Sequence, residues 1–118
     1  MDHQPASPTD LRAAFAMLRE FKQGSMTPGA SISAKQLELI RILCSDLLPE
    51  EKFSMNRVDD LIIQIARADT LWNRRAQMAV NEIYSLRESA KAEDASQQRQ
   101  TFLNECPSAW YRAIVEAI

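Results

Sequence analysis

The feature that most constrains this chain is a run of apolar residues that recurs every three or four positions between residues 57 and 90. At 100° per residue these positions stay on one side of an α-helix, within a stripe about 80° wide. Neither glycine nor proline interrupts the segment, so we predict one long helix over about 57–90. The nine stripe positions are Val58, Leu61, Ile65, Ala68, Trp72, Ala76, Ala79, Ile83 and Leu86.

Such a helix is long for a chain of 118 residues. A helix of about 33 residues measures about 50 Å, whereas a compact domain of this size is only about 35 Å across. Two outcomes therefore stay open. Either the helix breaks near 69–70, where Asp69 and Thr70 lower the helix propensity, or another chain covers its projecting end.

The rest of the chain predicts shorter helices, because its five prolines and two glycines all fall between apolar-periodic segments. Ser7, Ser33, Asn56 and Ser108 each precede such a segment and are predicted N-caps. The last two helices are expected over Gln97–Glu105 and after Ser108. The fold class is therefore all-α, an irregular helical bundle of five to six helices. We expect a flexible N-terminal tail over 1–7 and a single helical domain over 8–118, with the loop 24–33 as either a connection or a binding segment.

The residues that usually carry catalysis or hold metals are nearly missing from this sequence. Its single histidine, His3, lies in the predicted tail, and Cys44 and Cys106 are far apart without a CxxC motif. Gly24 and Gly29 cannot build a phosphate-binding loop. We therefore expect no catalytic, cofactor-binding or metal-binding residues, and a protein that is not an enzyme.

Charge and hydropathy exclude further classes of function. The formal net charge is −2, so no global field attracts nucleic acid or an anionic membrane. No stretch approaches the roughly 18 to 20 consecutive apolar residues of a membrane-spanning helix, and the N-terminus does not resemble a signal peptide. A cytoplasmic protein without a membrane partner is the expectation.

Apolar residues also lie outside the core stripe of the long helix, where a single small domain has little surface to cover them. Leu71 and Met78 lie on one flank, and exposed apolar residues rimmed by arginine are typical of association surfaces. Off the other flank lie Ile62, Val80 and Tyr84, and Ile63 points outward. The predicted partner-binding residues are Arg67, Leu71, Arg74, Arg75 and Met78.

These residues predict a non-catalytic protein-binding module, such as a small adaptor, inhibitor or regulatory subunit, that acts through the long helix and forms a homodimer. The alternative is a dimeric nucleic-acid-binding regulator that uses the arginines as a patch. Acidic residues interrupt that patch at Asp60, Asp69 and Glu82, and no helix-turn-helix motif accompanies it. The protein-binding interpretation is therefore ranked first.

Overall fold

A computed structural model describes residues 7–24 and 32–118, and this part of the chain contains helices and no strand. The predicted all-α class, a helical bundle with one long helix, is confirmed. A 3₁₀ turn, Met55–Arg57, leads directly into the long helix. The α-helices are α1 (Pro8–Lys22), α2 (Ala34–Leu47), α3 (Val58–Glu88), α4 (Ala92–Glu105) and α5 (Ala109–Glu116).

Three helices begin at the serines that the sequence predicts as N-caps. The Ser7 and Ser33 hydroxyls each accept a hydrogen bond at 3.1 Å from a backbone N–H three residues later, and the side chains of Asp10 and Gln36 accept the reciprocal bond from the cap N–H. Ser108 caps α5 in the same way without the reciprocal bond. The caps satisfy N–H groups that the first turn of a helix leaves without partners.

The long helix α3 is continuous, so the break considered near residues 69–70 does not occur. Its 31 residues correspond to about 46 Å at 1.5 Å per residue. Asp69 and Thr70 each make helix formation less favourable than alanine does, by well under about 1 kcal/mol. Burial of the stripe residues on either side of them outweighs this cost. The expected N-cap Asn56 is wrong, because Asn56 lies inside the 3₁₀ turn that precedes α3.

The C-terminus of α3 ends two residues before the predicted limit of 90, in a turn that the sequence analysis missed. The backbone N–H of Ala90 donates to the carbonyl of Arg87, and that of Lys91 donates to the carbonyl of Leu86. This is the Schellman pattern, which places one residue in the left-handed region. Ala90 occupies that position at φ 58°, a conformation usually taken by glycine.

Helix α4 begins at Ala92, whereas the sequence predicted a helix only from Gln97. The small and charged residues 92–96 carry no clear apolar periodicity, so the sequence did not indicate a helix there. In the structure, Glu93 and Asp94 occupy the first turn, where acidic side chains interact favourably with the helix dipole. Ala95 is buried, so this first turn also contributes to packing.

The chain divides into two compact units, the first ending at Ala68 and the second running from Asp69 to Ile118. Residues 58–68 of α3 belong to the first unit and residues 69–88 to the second. The single helical domain over 8–118 therefore stays a prediction. Residues 1–6 of the predicted tail, with His3, and residues 25–31 of the loop lie outside the described residues.

In the first unit α1 packs against α2, and in the second α4 packs against α5. In α2 the side chains of Ile40, Leu43 and Leu47 are buried, whereas Leu37 is half-buried. Other buried side chains of the first unit are Ala14, Phe15, Leu18, Val58, Leu61 and Ile65. Buried side chains of the second unit are Trp72, Ala76, Ala79, Ile83, Ala95, Phe102, Cys106, Tyr111 and Val115.

The left-handed residue at the end of α3 gives a prediction about stability. We expect Ala90→Gly to raise the free energy of unfolding by about 1 kcal/mol, because glycine adopts a positive φ without the steric cost that alanine has there. Ala16, exposed within α1, is the matched control, and Ala16→Gly should lower that free energy by a similar amount. Urea denaturation measures both changes. A loss of stability on Ala90→Gly would contradict the Schellman turn.

Candidate protein-binding surface

The exposed side of α3 in the second unit carries two large apolar side chains. Leu71 is 51% exposed and Met78 is 65% exposed. They are seven residues apart, so they lie about 10 Å apart along the helix and within about 20° of one another around it. We call the surface formed by Leu71, Arg74, Arg75 and Met78 the Leu71–Met78 face.

Arg75 is held in place by two neighbours within the second unit. Its Nη2 lies 2.6 Å from Oε2 of Glu105 on α4, and its Cζ lies 4.5 Å from the centroid of the Trp72 ring. The Trp72 ring in turn meets the edge of Phe102, with centroids 6.1 Å apart and planes at 79°. Both partners in the ion pair are exposed, so its stability contribution is at most about 1 kcal/mol. Its main effect is to fix where the guanidinium lies.

The structure brings four of the five predicted partner-binding residues onto one unit. Arg74 is exposed beside Leu71 and Met78. Arg67 is also exposed on α3, but it belongs to the first unit. The Leu71–Met78 face is therefore defined without it.

A cavity of about 260 Å³ adjoins the Leu71–Met78 face, between α3 and α4. Arg75, Met78 and Glu82 line it from α3. Gln98, Thr101, Phe102 and Glu105 line it from α4. Opposite charges thus lie seven residues apart, at Arg75 and Glu82, on the flank of α3 that faces α4.

A second cavity, of about 440 Å³, lies between α3 and α5. We call it the amide groove, because three carboxamide side chains line it at four-residue intervals. Spacing alone could have identified the row. The groove is lined by Asn73, Ala76, Gln77, Val80, Asn81 and Ile114.

The other apolar residues outside the stripe differ in solvent exposure. Ile62 is buried, Val80 is half-buried, and Ile63 and Tyr84 are exposed. Because Ile62 is buried, it offers no surface to a partner. Leu71 and Met78 are exposed, and their role in partner binding stays a prediction.

Asp69 is buried at the start of the second unit and accepts a hydrogen bond from the hydroxyl of Tyr111 on α5. Both side chains are nearly inaccessible to solvent. A buried carboxylate needs such a donor, because its charge loses the hydration that it has in water. The sequence predicted Asp69 as a weak point of the helix and as an acidic interruption of the arginine patch. Its position four residues after Ile65 and three before Trp72 was the signal for burial.

The described residues offer little for catalysis. No group of three or more histidine, cysteine or acidic side chains in this part of the chain is arranged to hold a metal ion. Cys44 and Cys106 are free thiols and both are buried. Burial raises the pKa of the Cys44 thiol, and the nearby Glu51 carboxylate raises it further, so the reactive thiolate is disfavoured.

Two acidic side chains among the described residues of the first unit, Asp60 and Glu38, interact with neighbouring polar side chains. Asp60 accepts hydrogen bonds from Arg57 at 3.1 Å and from Gln64 at 2.7 Å. Glu38 pairs with Arg41, and this hydrogen bond lowers the pKa of Glu38. These are exposed pairs on helix surfaces, which is the ordinary structural role of such residues.

Comparisons with known proteins add no further constraint. No protein family, curated protein or solved structure matches this chain. Across residues 7–24 and 32–118, none of the helices combines the length and the apolar character that crossing a bilayer requires.

The buried hydrogen bond at Asp69 gives a testable prediction. Tyr111→Phe should lower the free energy of unfolding by about 1 to 3 kcal/mol, because the buried carboxylate loses a donor that the phenylalanine cannot replace. Tyr84→Phe removes an exposed hydroxyl from the same unit and should change the free energy by less than about 0.5 kcal/mol. Urea denaturation of both variants measures the difference. Equal effects would contradict a stabilising role for the bond.

Proposed function

We propose that this chain is a non-catalytic protein-binding module, of the adaptor, inhibitor or regulatory-subunit class, that binds through the Leu71–Met78 face of α3. The observation that carries the proposal is the exposure of two large apolar side chains, two turns apart on the same face. Water-exposed apolar surface of this kind gains free energy when a partner covers it. Methionine adapts its shape to a partner, and both methionine and arginine are enriched at interfaces.

The fixed guanidinium of Arg75 supports this proposal. Binding usually costs conformational entropy, because long side chains must be ordered at the interface. Glu105 and Trp72 already restrict Arg75, so a partner meets a partly ordered surface. The flexible apolar side chain of Met78 lies next to it, on the edge of the α3–α4 cavity.

The partner to which we commit is a second copy of this chain. Arg75 and Glu82 lie seven residues apart on the same flank of α3. In an antiparallel pair of α3 helices that cross near Met78, each Arg75 falls opposite the other copy's Glu82. This reciprocal charge pairing suits a two-fold symmetric dimer, which is the commonest form of homo-oligomer.

The alternative, a nucleic-acid-binding regulator that uses Arg67, Arg74 and Arg75, is ranked second. Glu82 lies on the same flank of α3 as Arg75, so acidic charge interrupts the patch that a phosphate would approach. Titration of duplex DNA and single-stranded RNA at increasing salt separates the two proposals. Nucleic-acid binding that falls steeply with salt would favour the regulator.

The dimer is tested by multi-angle light scattering. The unmodified protein should show about twice the chain mass of 13.4 kDa. Leu71→Asp/Met78→Asp should shift the mass to that of one chain without loss of helical circular dichroism, because carboxylates are costly in an apolar interface.

Met55 provides the matched control, since it is 68% exposed and lies in the first unit. Met55→Asp should leave the dimer intact. A single-chain mass for the unmodified protein at high concentration, or equal dissociation by Met55→Asp, would contradict a dimer formed through the Leu71–Met78 face.

A further inference from the structure

We infer that the amide groove is a docking site for an extended, uncharged peptide segment of a partner protein. The groove faces α5, whereas the Leu71–Met78 face borders α4 and shares no residue with the groove. The inference therefore goes beyond the proposed dimer and does not depend on it. Three properties of the groove carry it: the spacing of its amides, its apolar floor and its lack of charge.

The amide spacing matches an extended main chain. Asn73, Gln77 and Asn81 are successive i, i+4 positions of α3, about 6 Å apart along the axis. One edge of an extended chain presents an N–H and a C=O group every second residue, at intervals of about 6.6 Å. Three amides and three such residues therefore stay aligned to within about 1.5 Å over the length of the groove.

Carboxamides have the chemistry that a main chain requires. Each offers a donor NH₂ group and an acceptor carbonyl, so it can bond both polar groups of one peptide residue. In the free protein Gln77 Nε2 lies 3.5 Å from Asn73 Oδ1, at the long limit for a hydrogen bond. Breaking this weak hydrogen bond therefore costs little free energy when the two amides bond a peptide instead.

The floor of the groove is apolar. Ala76 and Val80 form it from α3, and Ile114, which is 43% exposed, forms it from α5. Side chains of an extended segment alternate in direction, so alternate residues of the bound segment point at this floor. The cavity of about 440 Å³ falls within the range of about 300 to 1,000 Å³ usual for binding sites.

Charge selects the kind of segment. One residue in four of this chain is charged, yet among the described residues the six that line the groove include no charged side chain. A charged residue at the centre of the ligand would lose hydration there, and none of the six lining side chains offers it a counterion. The bound segment is therefore uncharged at its centre and carries aliphatic side chains at alternate positions.

The probe for the test is a library of capped hexapeptides built from alanine, valine, leucine, serine and threonine. Binding is followed by the side-chain amide signals of isotopically labelled protein in two-dimensional nuclear magnetic resonance. Library members that bind should shift the NH₂ signals of Asn73, Gln77 and Asn81. The same library with a central aspartate or lysine should bind at least about tenfold more weakly.

Two double variants test whether the peptide binds in the groove or elsewhere on the surface. Asn73→Ala/Gln77→Ala should weaken binding of the selected peptide about tenfold or more, since two carboxamides are lost. Gln100 and Asn104 on α4 form a matched amide pair at the same spacing, with Gln100 Nε2 2.9 Å from Asn104 Oδ1. The control Gln100→Ala/Asn104→Ala should leave the affinity unchanged.

The outcomes that overturn the inference are distinct from those that overturn the dimer. The amide groove is not the docking site if no peptide of the library binds, or if the charged peptides bind as tightly as the uncharged ones. It is also not the docking site if Gln100→Ala/Asn104→Ala weakens binding as much as Asn73→Ala/Gln77→Ala does. The measurement is repeated on the Leu71→Asp/Met78→Asp variant, whose groove residues are all unchanged. Peptide binding that is lost in that variant would assign the peptide to the Leu71–Met78 face instead.

Discussion

The packing of one side of α3 is the constraint on which both compact units depend. Residues 58–68 contribute Leu61 and Ile65 to the buried side chains of the first unit, and residues 69–88 contribute Trp72 and Ile83 to those of the second. Because α-helical geometry repeats every 3.6 residues, burying this stripe decides which other positions must face outward. The exposure of Leu71 and Met78 is therefore a consequence of the stripe and cannot be relieved by rotating the helix.

Helix α5 is too short to be stable alone, and hydrogen bonds from other helices of the second unit stabilise it. Its eight residues are fewer than the roughly 12 to 15 that an isolated helix needs for stability in water. Polar side chains from other helices attach it at both ends: Asp69 accepts from Tyr111, Arg99 donates to the Glu116 carbonyl at 2.9 Å, and Arg87 donates to the Ile118 carbonyl at 2.7 Å. The two arginines also place positive charge at the helix C-terminus, where the dipole favours it. The position of Ile114 in the floor of the amide groove thus depends on these attachments.

Sequence patterns predicted the features that arise from local chemistry. The serine caps and the apolar stripe were predictable because each depends on residues within one or two turns of one another. The early start of α4 and the left-handed Ala90 were missed because tertiary packing and a non-glycine Schellman turn contradict the usual residue preferences. Of the candidate site, the exposure of Leu71 and Met78 followed from periodicity. The anchoring of Arg75 by Glu105 did not, because it joins residues thirty positions apart that only the fold brings together.

The central claim is that residues 70–88 of α3 form one uninterrupted helix, because both surfaces described for the second unit are defined by its periodicity. Electron–electron distance measurement between spin labels at Thr70 and Glu88 tests this claim directly, in a Cys44→Ala/Cys106→Ala background diluted with unlabelled protein. Both positions are exposed, and helical geometry places them on the same side of α3. The account predicts a single narrow distance of about 27 Å, the rise of a continuous helix between them. A distribution centred a third or more below that value would mean that the helix breaks within the second unit, and would contradict the account.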